Sequence, residues 1–232
     1  MILLYSTNIE NNFLTITDDE HVHCVKVLRI KVGDKIFATD GHGNKYECEI
    51  LSISKAETRC VIISTTSTPM PESKNCIAIA PTKNSSRIEW FVEKAVEIGV
   101  HEIIILTTQR TERKSVNMLR LEKIIISAMK QSLHTYLPKL SAYKDIESMY
   151  NVIGNNYDKK FIAWCNGPSD TLTHIDTSHT NNLLLIGPEG DFTNDEVSAC
   201  LKYGFRSVAL GDSRLRTETA GLVGLMMLRL SC

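Results

Sequence analysis

Two glycine-bearing turns in the last fifty residues hold the residue types best suited to ligand chemistry. The first follows the apolar run Leu183–Ile186 and reads GPEGD, and the second follows Val208–Leu210 and reads GDSRLRTETA. Glycine lets a backbone approach a ligand closely, and proline stiffens a turn. Neither turn has the glycine spacing of a dinucleotide-binding or triphosphate-binding loop, which disfavours both ligand classes. The alternative is that both turns are ordinary strand-to-helix connections.

Alternating strands and helices are predicted to position these turns. Short apolar runs, typical of strands buried on both faces, lie at Ile77–Ala80, Ile103–Leu106, Phe161–Trp164, Leu183–Ile186 and Val208–Leu210. Between them, Ser86–Glu89 and Thr193–Glu196 read as capping boxes, and Gly99 and Gly204 as helix ends. The pattern predicts a mostly parallel sheet with helices on both faces. In such sheets ligands lie beyond the carboxyl ends of the strands, where both turns fall.

The first 65 residues show a different, β-rich pattern. Alternating or β-branched runs lie at Lys35–Thr39, Lys45–Ile53 and Thr58–Ser64, the first two joined by a glycine-containing hairpin turn. A short helix is predicted over His21–Ile30, closed by Gly33. Residues 65–73 contain two prolines among small polar residues and suggest an extended linker. A small β-barrel or β-rich module is therefore expected before the α/β domain.

Composition narrows the functional class. The chain has 232 residues, 43% hydrophobic and 23% charged, which is globular usage, and no apolar stretch is long enough for a membrane span. Seven scattered cysteines without a C-x-x-C pair favour reduced thiols over a zinc site or disulfides. The start lacks the basic region of a secretory signal, so we expect a cytoplasmic protein without a membrane partner.

Charge distribution gives a weaker indication of a nucleic-acid partner. The net charge is only −1, but residues 83–144 hold eleven basic and six acidic side chains. This segment suggests a local phosphate-binding face. A solvated helix surface is the alternative, and charge alone favours it.

The order of residues in the two turns carries a specific resemblance. IGPEGDF followed by LGDSRLRTETA strongly resembles the 16S ribosomal RNA uridine-N3 methyltransferase family of the SPOUT superfamily. Upstream, KNSSRIEWFVEKAVEIGV, QRTER and the H-x-H…VLR…GD pattern from His21 resemble further parts of that family. The resemblance implies a trefoil-knotted α/β domain over residues 74–232, preceded by a PUA-like β-barrel RNA-binding domain over residues 1–68.

The resemblance also implies a cofactor and partners. S-adenosylmethionine is the methyl donor, no metal is needed, the target is a uridine of small-subunit ribosomal RNA, and the enzyme is a homodimer. The residues implied in donor binding are Ile186, Gly187, Pro188, Glu189, Gly190, Leu210, Gly211, Leu215, Arg216 and Thr217. The residues suggested as RNA phosphate contacts are Lys26, Arg29, Arg110 and Arg113, each with a solvated-surface alternative.

Methyl transfer to a uridine ring nitrogen requires the imide proton to leave. Arg216 is the candidate for stabilising the resulting negative charge, with a phosphate contact or a pair with Glu218 as alternatives. Glu218 or Glu189 is the candidate proton acceptor. Glu218 has a structural alternative, because a carboxylate in a first helical turn is stabilised by the helix dipole. His21 and His23 are expected to cap a helix or lie at the surface.

Asp191 departs from the family pattern, and three rival functions stay open. Asp191 stands where the family usually has a second glycine, which places a new charge near the donor site. A related SPOUT enzyme acting on another RNA, such as a transfer RNA ribose, is one rival. A ribosome-assembly factor that binds RNA without turnover is a second, and a metabolic α/β enzyme is a third.

Overall fold

A computed structural model describes residues 2–113, 115–166 and 170–230. The chain divides into two compact units. The first contains the chain up to Met70 together with Ile126–Leu137, and the second contains Pro71–Ile125 and the chain from Pro138 onward. The segment Ile126–Leu137 joins the first unit although it lies inside the region predicted as the second domain. No helix in the described residues is long and apolar enough to cross a membrane.

The first unit is a six-stranded mixed sheet with the strand order β1-β4-β5-β6-β3-β2. Its strands are β1 Leu3–Tyr5, β2 Ile9–Glu10, β3 Phe13–Thr17, β4 Lys35–Thr39, β5 Asn44–Ile53 and β6 Glu57–Ser67. Strands β1 and β2 lie at opposite edges, yet only three residues join them. A flat sheet would hold these edges roughly 24 Å apart, whereas three residues bridge roughly 10–14 Å. The sheet must therefore be strongly curved, so that its two edge strands approach to within roughly 14 Å, as in an open β-barrel.

The core of this unit follows from strand alternation. Tyr46, Cys48 and Ile50 of β5 are buried, while the residues between them are half-exposed. Burial raises the pKa of the Cys48 thiol to about 11 and that of Cys60 to about 12. These thiols stay protonated at neutral pH and act as small apolar side chains.

Two predicted boundaries in this unit are wrong. In place of the helix predicted over His21–Ile30, the structure has α1, Asp18–Val22, followed by a π-helical turn, His23–Leu28. The turn closes at Arg29 and not at Gly33, because Arg29 adopts the left-handed conformation, with φ 55°. The predicted linker begins too early, because Thr65–Ser67 still pair with β5.

The second unit is a seven-stranded, entirely parallel sheet with the order β11-β13-β10-β12-β7-β8-β9. Its strands are β7 Asn75–Ile79, β8 Glu102–Leu106, β9 Lys139–Tyr143, β10 Lys159–Ala163, β11 Asp170–Thr171, β12 Asn182–Ile186 and β13 Arg206–Ala209. The five predicted strands are confirmed within two residues at each end. Strands β9 and β11 were missed because neither is an apolar run; β9 reads KLSAY.

Helices cover both faces of this sheet. They are α2 Ser85–Ile98, α4 Ile146–Ile153, α5 Asn194–Lys202 and α6 Thr217–Leu230, whereas α3 Met118–Gln131 begins in this unit and ends in the segment Ile126–Leu137 of the first. Alternate strand residues such as Ala78 and Leu185 pack with side chains of α4 and α5. The strand residues that alternate with these point to the opposite face of the sheet, which α6 covers. There Leu184 lies against Gly224. The predicted parallel sheet with helices on both faces is confirmed.

The helix ends confirm one predicted capping box and correct the other. Thr193 and Glu196 make both hydrogen bonds of a capping box at the start of α5. Helix α2 is instead capped by Asn84, whose side chain accepts a hydrogen bond from the Ser86 backbone N–H at 3.0 Å. The capping box predicted over Ser86–Glu89 is wrong because Ser86 lies inside the helix, and Glu89 instead pairs with Arg120 at 3.3 Å.

Candidate functional site

The carboxyl ends of three neighbouring strands, β10, β12 and β13, surround a cavity of about 820 Å³ in the second unit. Its wall is formed by residues 163–166, 186–191 and 208–217, with Ala220. Ligand crevices of open α/β sheets lie at this edge, so the cavity is the candidate site. The ten residues implied in donor binding all line it: Ile186, Gly187, Pro188, Glu189, Gly190, Leu210, Gly211, Leu215, Arg216 and Thr217.

The turn after β12 is anchored to two other parts of the unit. The Thr217 hydroxyl donates to the Gly187 carbonyl at 3.1 Å, which fixes the start of α6 to this turn. The Lys83 backbone N–H donates to Glu189 Oε1 at 3.2 Å. A side chain at Gly187 would come within 3.0 Å of the Phe192 ring. The turn therefore has a fixed shape, which a binding site built from backbone groups requires.

Arg110 also anchors the turn after β12. Its Nη1 donates to the Gly190 carbonyl at 2.8 Å and lies 3.4 Å from the Phe192 carbonyl. A Cβ on Gly190 would meet the Arg110 side chain at 3.3 Å. Arg113, the other cation predicted in this loop, is exposed and donates from Nε to the Ser115 carbonyl at 3.1 Å. Arg110 thus positions the cavity wall, in addition to any contact with RNA.

The turn after β13 is the exposed side of the cavity. Gly211 has φ +117°, a conformation that L side chains rarely adopt, although a Cβ would meet no atom within 4 Å. Glycine is required there by the backbone and not by lack of space. Arg216 is exposed in the wall, just before α6 begins. No residue in the described ranges forms a hydrogen bond or ion pair with its guanidinium, which leaves it available to a ligand.

The two candidate proton acceptors lie in different surroundings. Glu189 is exposed and lines the cavity. Glu218 is 7% exposed and does not line it; its Oε1 is 3.7 Å from Nε of Arg87 on α2. Glu218 also occupies the first turn of α6, where the helix dipole stabilises a carboxylate. The structure therefore brings Arg216 and Glu189 to one cavity and places Glu218 against α2.

Sequence reasoning missed the third wall segment, which follows β10. Trp164, Cys165 and Asn166 line the cavity there. The Trp164 indole Nε1 is buried, and no described residue accepts a hydrogen bond from it. Burial, followed by the charge of Asp191, raises the pKa of the Cys165 thiol. The position of this segment in the sequence could have indicated its role. The residues CNG follow a predicted strand and so are expected at the same sheet edge as the two glycine-bearing turns.

The cations suggested for RNA contact are distributed over both units. Lys26 lies in the π-helical turn of the first unit and Arg29 closes it, and both are exposed. His21, which was expected at a helix cap or at the surface, is instead buried with Nδ1 2.9 Å from the Thr58 hydroxyl. His21 therefore stabilises the packing of α1 on β6.

Several basic side chains of residues 83–144 have acidic partners. Lys83 lies 2.9 Å from Glu112, and Lys94 lies 2.8 Å from Glu97. Lys130 donates to Glu20 at 2.6 Å within the first unit. Glu97 and Glu112 are already counted in the net charge of the segment, so only the pair of Lys130 with Glu20, which lies outside it, lowers the positive charge further.

Comparison with known proteins identifies the two regions. Residues 69–229 match the model of an RNA methyltransferase domain, and residues 16–63 match that of an RNA methyltransferase PUA domain. Ribosomal RNA small subunit methyltransferase E of Rickettsia conorii is 29% identical, with 99% of this chain and 94% of that protein covered. The protein of the same name from Bacillus subtilis is 26% identical, with 91% and 87% covered.

Solved structures show the same relationship. A probable rRNA-methyltransferase from Porphyromonas gingivalis has a TM-score of 0.88 and 36% identity, covering 100% of this chain and 98% of that one. Ribosomal RNA small subunit methyltransferase E of Neisseria gonorrhoeae, solved with S-adenosyl methionine, shares the fold at a TM-score of 0.80 and 24% identity, with 99% and 97% covered. The model of the RNA methyltransferase domain matches residues 69–229, which is more than half of the chain, and the cavity lies at the expected sheet edge. This chain therefore belongs to the RNA methyltransferase family.

Proposed function

We propose that this chain transfers a methyl group from S-adenosylmethionine to N3 of one uridine in 16S ribosomal RNA. The observation that carries the proposal is the cavity at the ends of β10, β12 and β13, whose wall contains the turns GPEGD and GDSRLRT. The family and the small-subunit methyltransferases to which the chain is similar support the substrate class. The uridine and its nitrogen rest on the sequence resemblance.

The residues present fit the proposed donor. The cavity volume of about 820 Å³ suits a nucleoside with an amino-acid side chain. The turns at Gly187 and Gly211 offer backbone groups on fixed loops, and the buried Trp164 Nε1 offers a hydrogen-bond donor that no described residue uses. We propose that these segments hold the adenosine and amino-acid parts.

Methyl transfer at N3 requires charge stabilisation on the RNA base. When bound, S-adenosylmethionine supplies an electrophilic methyl group on a positively charged sulfur. N3 becomes a good nucleophile once its proton leaves, and the resulting negative charge spreads over the uracil oxygens. The Arg216 guanidinium, exposed in the wall, is suited to bind those oxygens and lower the barrier.

The geometry favours Glu189 over Glu218 as proton acceptor. Glu189 lines the cavity, and the Lys83 backbone N–H holds one of its oxygens, which leaves the other free to face a base. Glu218 is buried beside Arg87, where it stabilises the start of α6 and so the position of Arg216. We therefore assign proton acceptance to Glu189 and a positioning role to Glu218.

The test is transfer to undermodified small ribosomal subunits. Purified protein is incubated with labelled S-adenosylmethionine and subunits from cells lacking this modification, and the RNA is digested and analysed by mass spectrometry. We expect label on one uridine base, at N3. A known active small-subunit methyltransferase is the positive control.

Other outcomes point to the rival functions. Label on a ribose, or only when transfer RNA is supplied, would replace the proposed target with another RNA. Salt-dependent RNA binding with no label and no saturable S-adenosylmethionine binding would indicate an assembly factor. Absence of RNA binding at any salt concentration would indicate a metabolic enzyme.

A further inference from the structure

The carboxylate of Asp191 is fixed in the cavity wall by neutral groups. Its Oδ1 accepts a hydrogen bond from the Phe192 backbone N–H at 2.8 Å, and its Oδ2 lies 3.2 Å from Nδ2 of Asn166 and 3.4 Å from the Cys165 backbone N. Among the described residues no lysine, arginine or histidine lies within salt-bridge distance. The carboxylate is therefore oriented by hydrogen bonds and forms no salt bridge with a described residue.

The backbone at Asp191 shows that this position is specialised. Its φ is +60°, in the left-handed region that disfavours most residues with side chains and that aspartate and asparagine tolerate best. Glycine would adopt this conformation at lower cost. In this conformation the Asp191 carboxylate accepts hydrogen bonds from the Phe192 backbone N–H and from the Asn166 side chain. The strained residue thus joins two of the three segments that form the wall.

The Asp191 charge acts on the interior of the cavity. After burial, it is the next largest cause of the raised pKa of the Cys165 thiol, and Arg214 acts in the opposite direction. Both Cys165 and Arg214 line the cavity. At short range a carboxylate attracts a cation and repels an anion, so a ligand group placed beside Asp191 would be selected by its charge.

We propose that the Asp191 carboxylate recognises a cationic group of the methyl donor and so determines the specificity of the donor site. This inference rests on the proposed function, because S-adenosylmethionine carries two cations, the sulfonium and the α-ammonium. Attraction to either weakens as salt increases.

Three nucleosides separate charge recognition from a structural role. S-adenosylmethionine carries both cations, S-adenosylhomocysteine carries only the ammonium, and 5′-methylthioadenosine carries neither. Their dissociation constants are measured by titration calorimetry for the unaltered chain, Asp191→Asn and Asp191→Gly. Both substitutions remove the charge and suit the left-handed backbone. Asp195→Asn, which removes a carboxylate from the exposed first turn of α5 outside the cavity, is the matched control.

We expect both Asp191 variants to bind S-adenosylmethionine about tenfold more weakly, with 5′-methylthioadenosine unchanged. An equal loss for S-adenosylhomocysteine would assign the contact to the ammonium, and no loss for it would assign the contact to the sulfonium. The loss should shrink in high salt, and Asp195→Asn should match the unaltered chain.

Two results would overturn the inference, for different reasons. Equal weakening of all three nucleosides would mean that Asp191 only holds the loops together. Failure of the unaltered, folded chain to bind any of the three would overturn the proposed function itself, on which the inference rests.

Discussion

Arg216 and Glu218 lie two residues apart in sequence, yet the structure gives them different surroundings. Arg216 precedes α6 and lines the cavity, whereas Glu218 lies inside the first turn of α6 and faces Arg87. Successive helical residues point about 100° apart, so a residue two positions along faces another direction. The sequence alone does not fix where the helix begins, and that starting point decides which of the two side chains reaches a ligand.

Arg216→Ala should abolish most methyl transfer and leave the fold intact. Its guanidinium has no partner among the described residues, so its removal costs little stability, but the negative charge on the uracil would lose its stabiliser. Loss of one such group slows a reaction by about 10²- to 10³-fold. Single-turnover transfer to small subunits measures the effect, with circular dichroism as the folding check.

A matched control is Arg206→Ala, which removes an arginine of β13 that pairs with Asp170 outside the cavity. Its transfer rate should stay within about twofold of the unaltered chain, since exposed ion pairs contribute little. Unchanged transfer by Arg216→Ala would contradict the proposed role.

At the scale of elements, the hairpin between β4 and β5 shows how one side chain organises a turn. Asp40 accepts hydrogen bonds from the His42 N–H at 2.7 Å, the Asn44 side chain at 2.7 Å and the Tyr46 hydroxyl at 2.9 Å. Burial alone would raise the pKa of Asp40, but these hydrogen bonds outweigh it and hold the pKa below its ordinary value of 3.8. The ionised carboxylate therefore stabilises the folded first unit.

Asp40→Ala should destabilise the protein at neutral pH by about 2 kcal/mol, because the buried Tyr46 hydroxyl loses its acceptor. The pKa is lower in the folded state, so the stabilisation is complete above the unfolded value of 3.8 and is lost as the pH falls through the folded value. The difference between variant and unaltered chain should therefore shrink below pH 3.8. Urea unfolding at pH 7 and pH 3 measures it.

Glu10→Ala is the control for Asp40→Ala, because Glu10 is an exposed carboxylate at the end of β2 in the same unit. It should change stability by less than about 0.5 kcal/mol at either pH. A destabilisation by Asp40→Ala that is equally large at pH 3 and pH 7 would show that packing, and not the ionised carboxylate, stabilises the turn.

At the scale of the whole molecule, α6 presents apolar residues to solvent. Met226 is 40% and Leu230 73% exposed, and residues four positions apart lie on one face of a helix. On the neighbouring α2, Trp90 is 45% exposed. Exposed apolar side chains that share one helix face, as Met226 and Leu230 do, are typical of protein-protein contact surfaces. They support the prediction of a homodimer.

If the predicted dimer forms through this face, the double substitution Met226→Glu with Leu230→Glu should convert it to a monomer. Buried carboxylates without partners are costly, so an interface containing them should not form. Light scattering after gel filtration should give twice the chain mass of 26.0 kDa for the unaltered protein and 26.0 kDa for the variant.

Leu119→Glu is the control for the double substitution, because Leu119 is 72% exposed on α3. This variant should remain dimeric. A monomeric mass for the unaltered chain would contradict the dimer, and a dimeric mass for the double variant would place the contact elsewhere.

The sequence by itself determined the features that depend on neighbouring residues. Apolar runs gave the five central strands, the Thr193–Glu196 pattern gave a helix start, and the two turns gave the sheet edge at which the cavity lies. These signals are local: burial on both faces, capping and backbone freedom at glycine are each encoded within a few residues. The trefoil knot and the identity of the modified uridine stay predictions that rest on resemblance.

Tertiary structure decided what depends on distant partners. In the folded chain Arg110 donates to the Gly190 carbonyl, and Glu218 faces Arg87 and not the cavity. Cys165 and Asn166 contact Asp191, which lies 25 or more residues further along the chain. A side chain's charge and hydrogen-bonding capacity are set by its type, but its partner is set by which strands lie side by side. Strand order, with β10 between β13 and β12, is a property of the assembled sheet and not of any single segment.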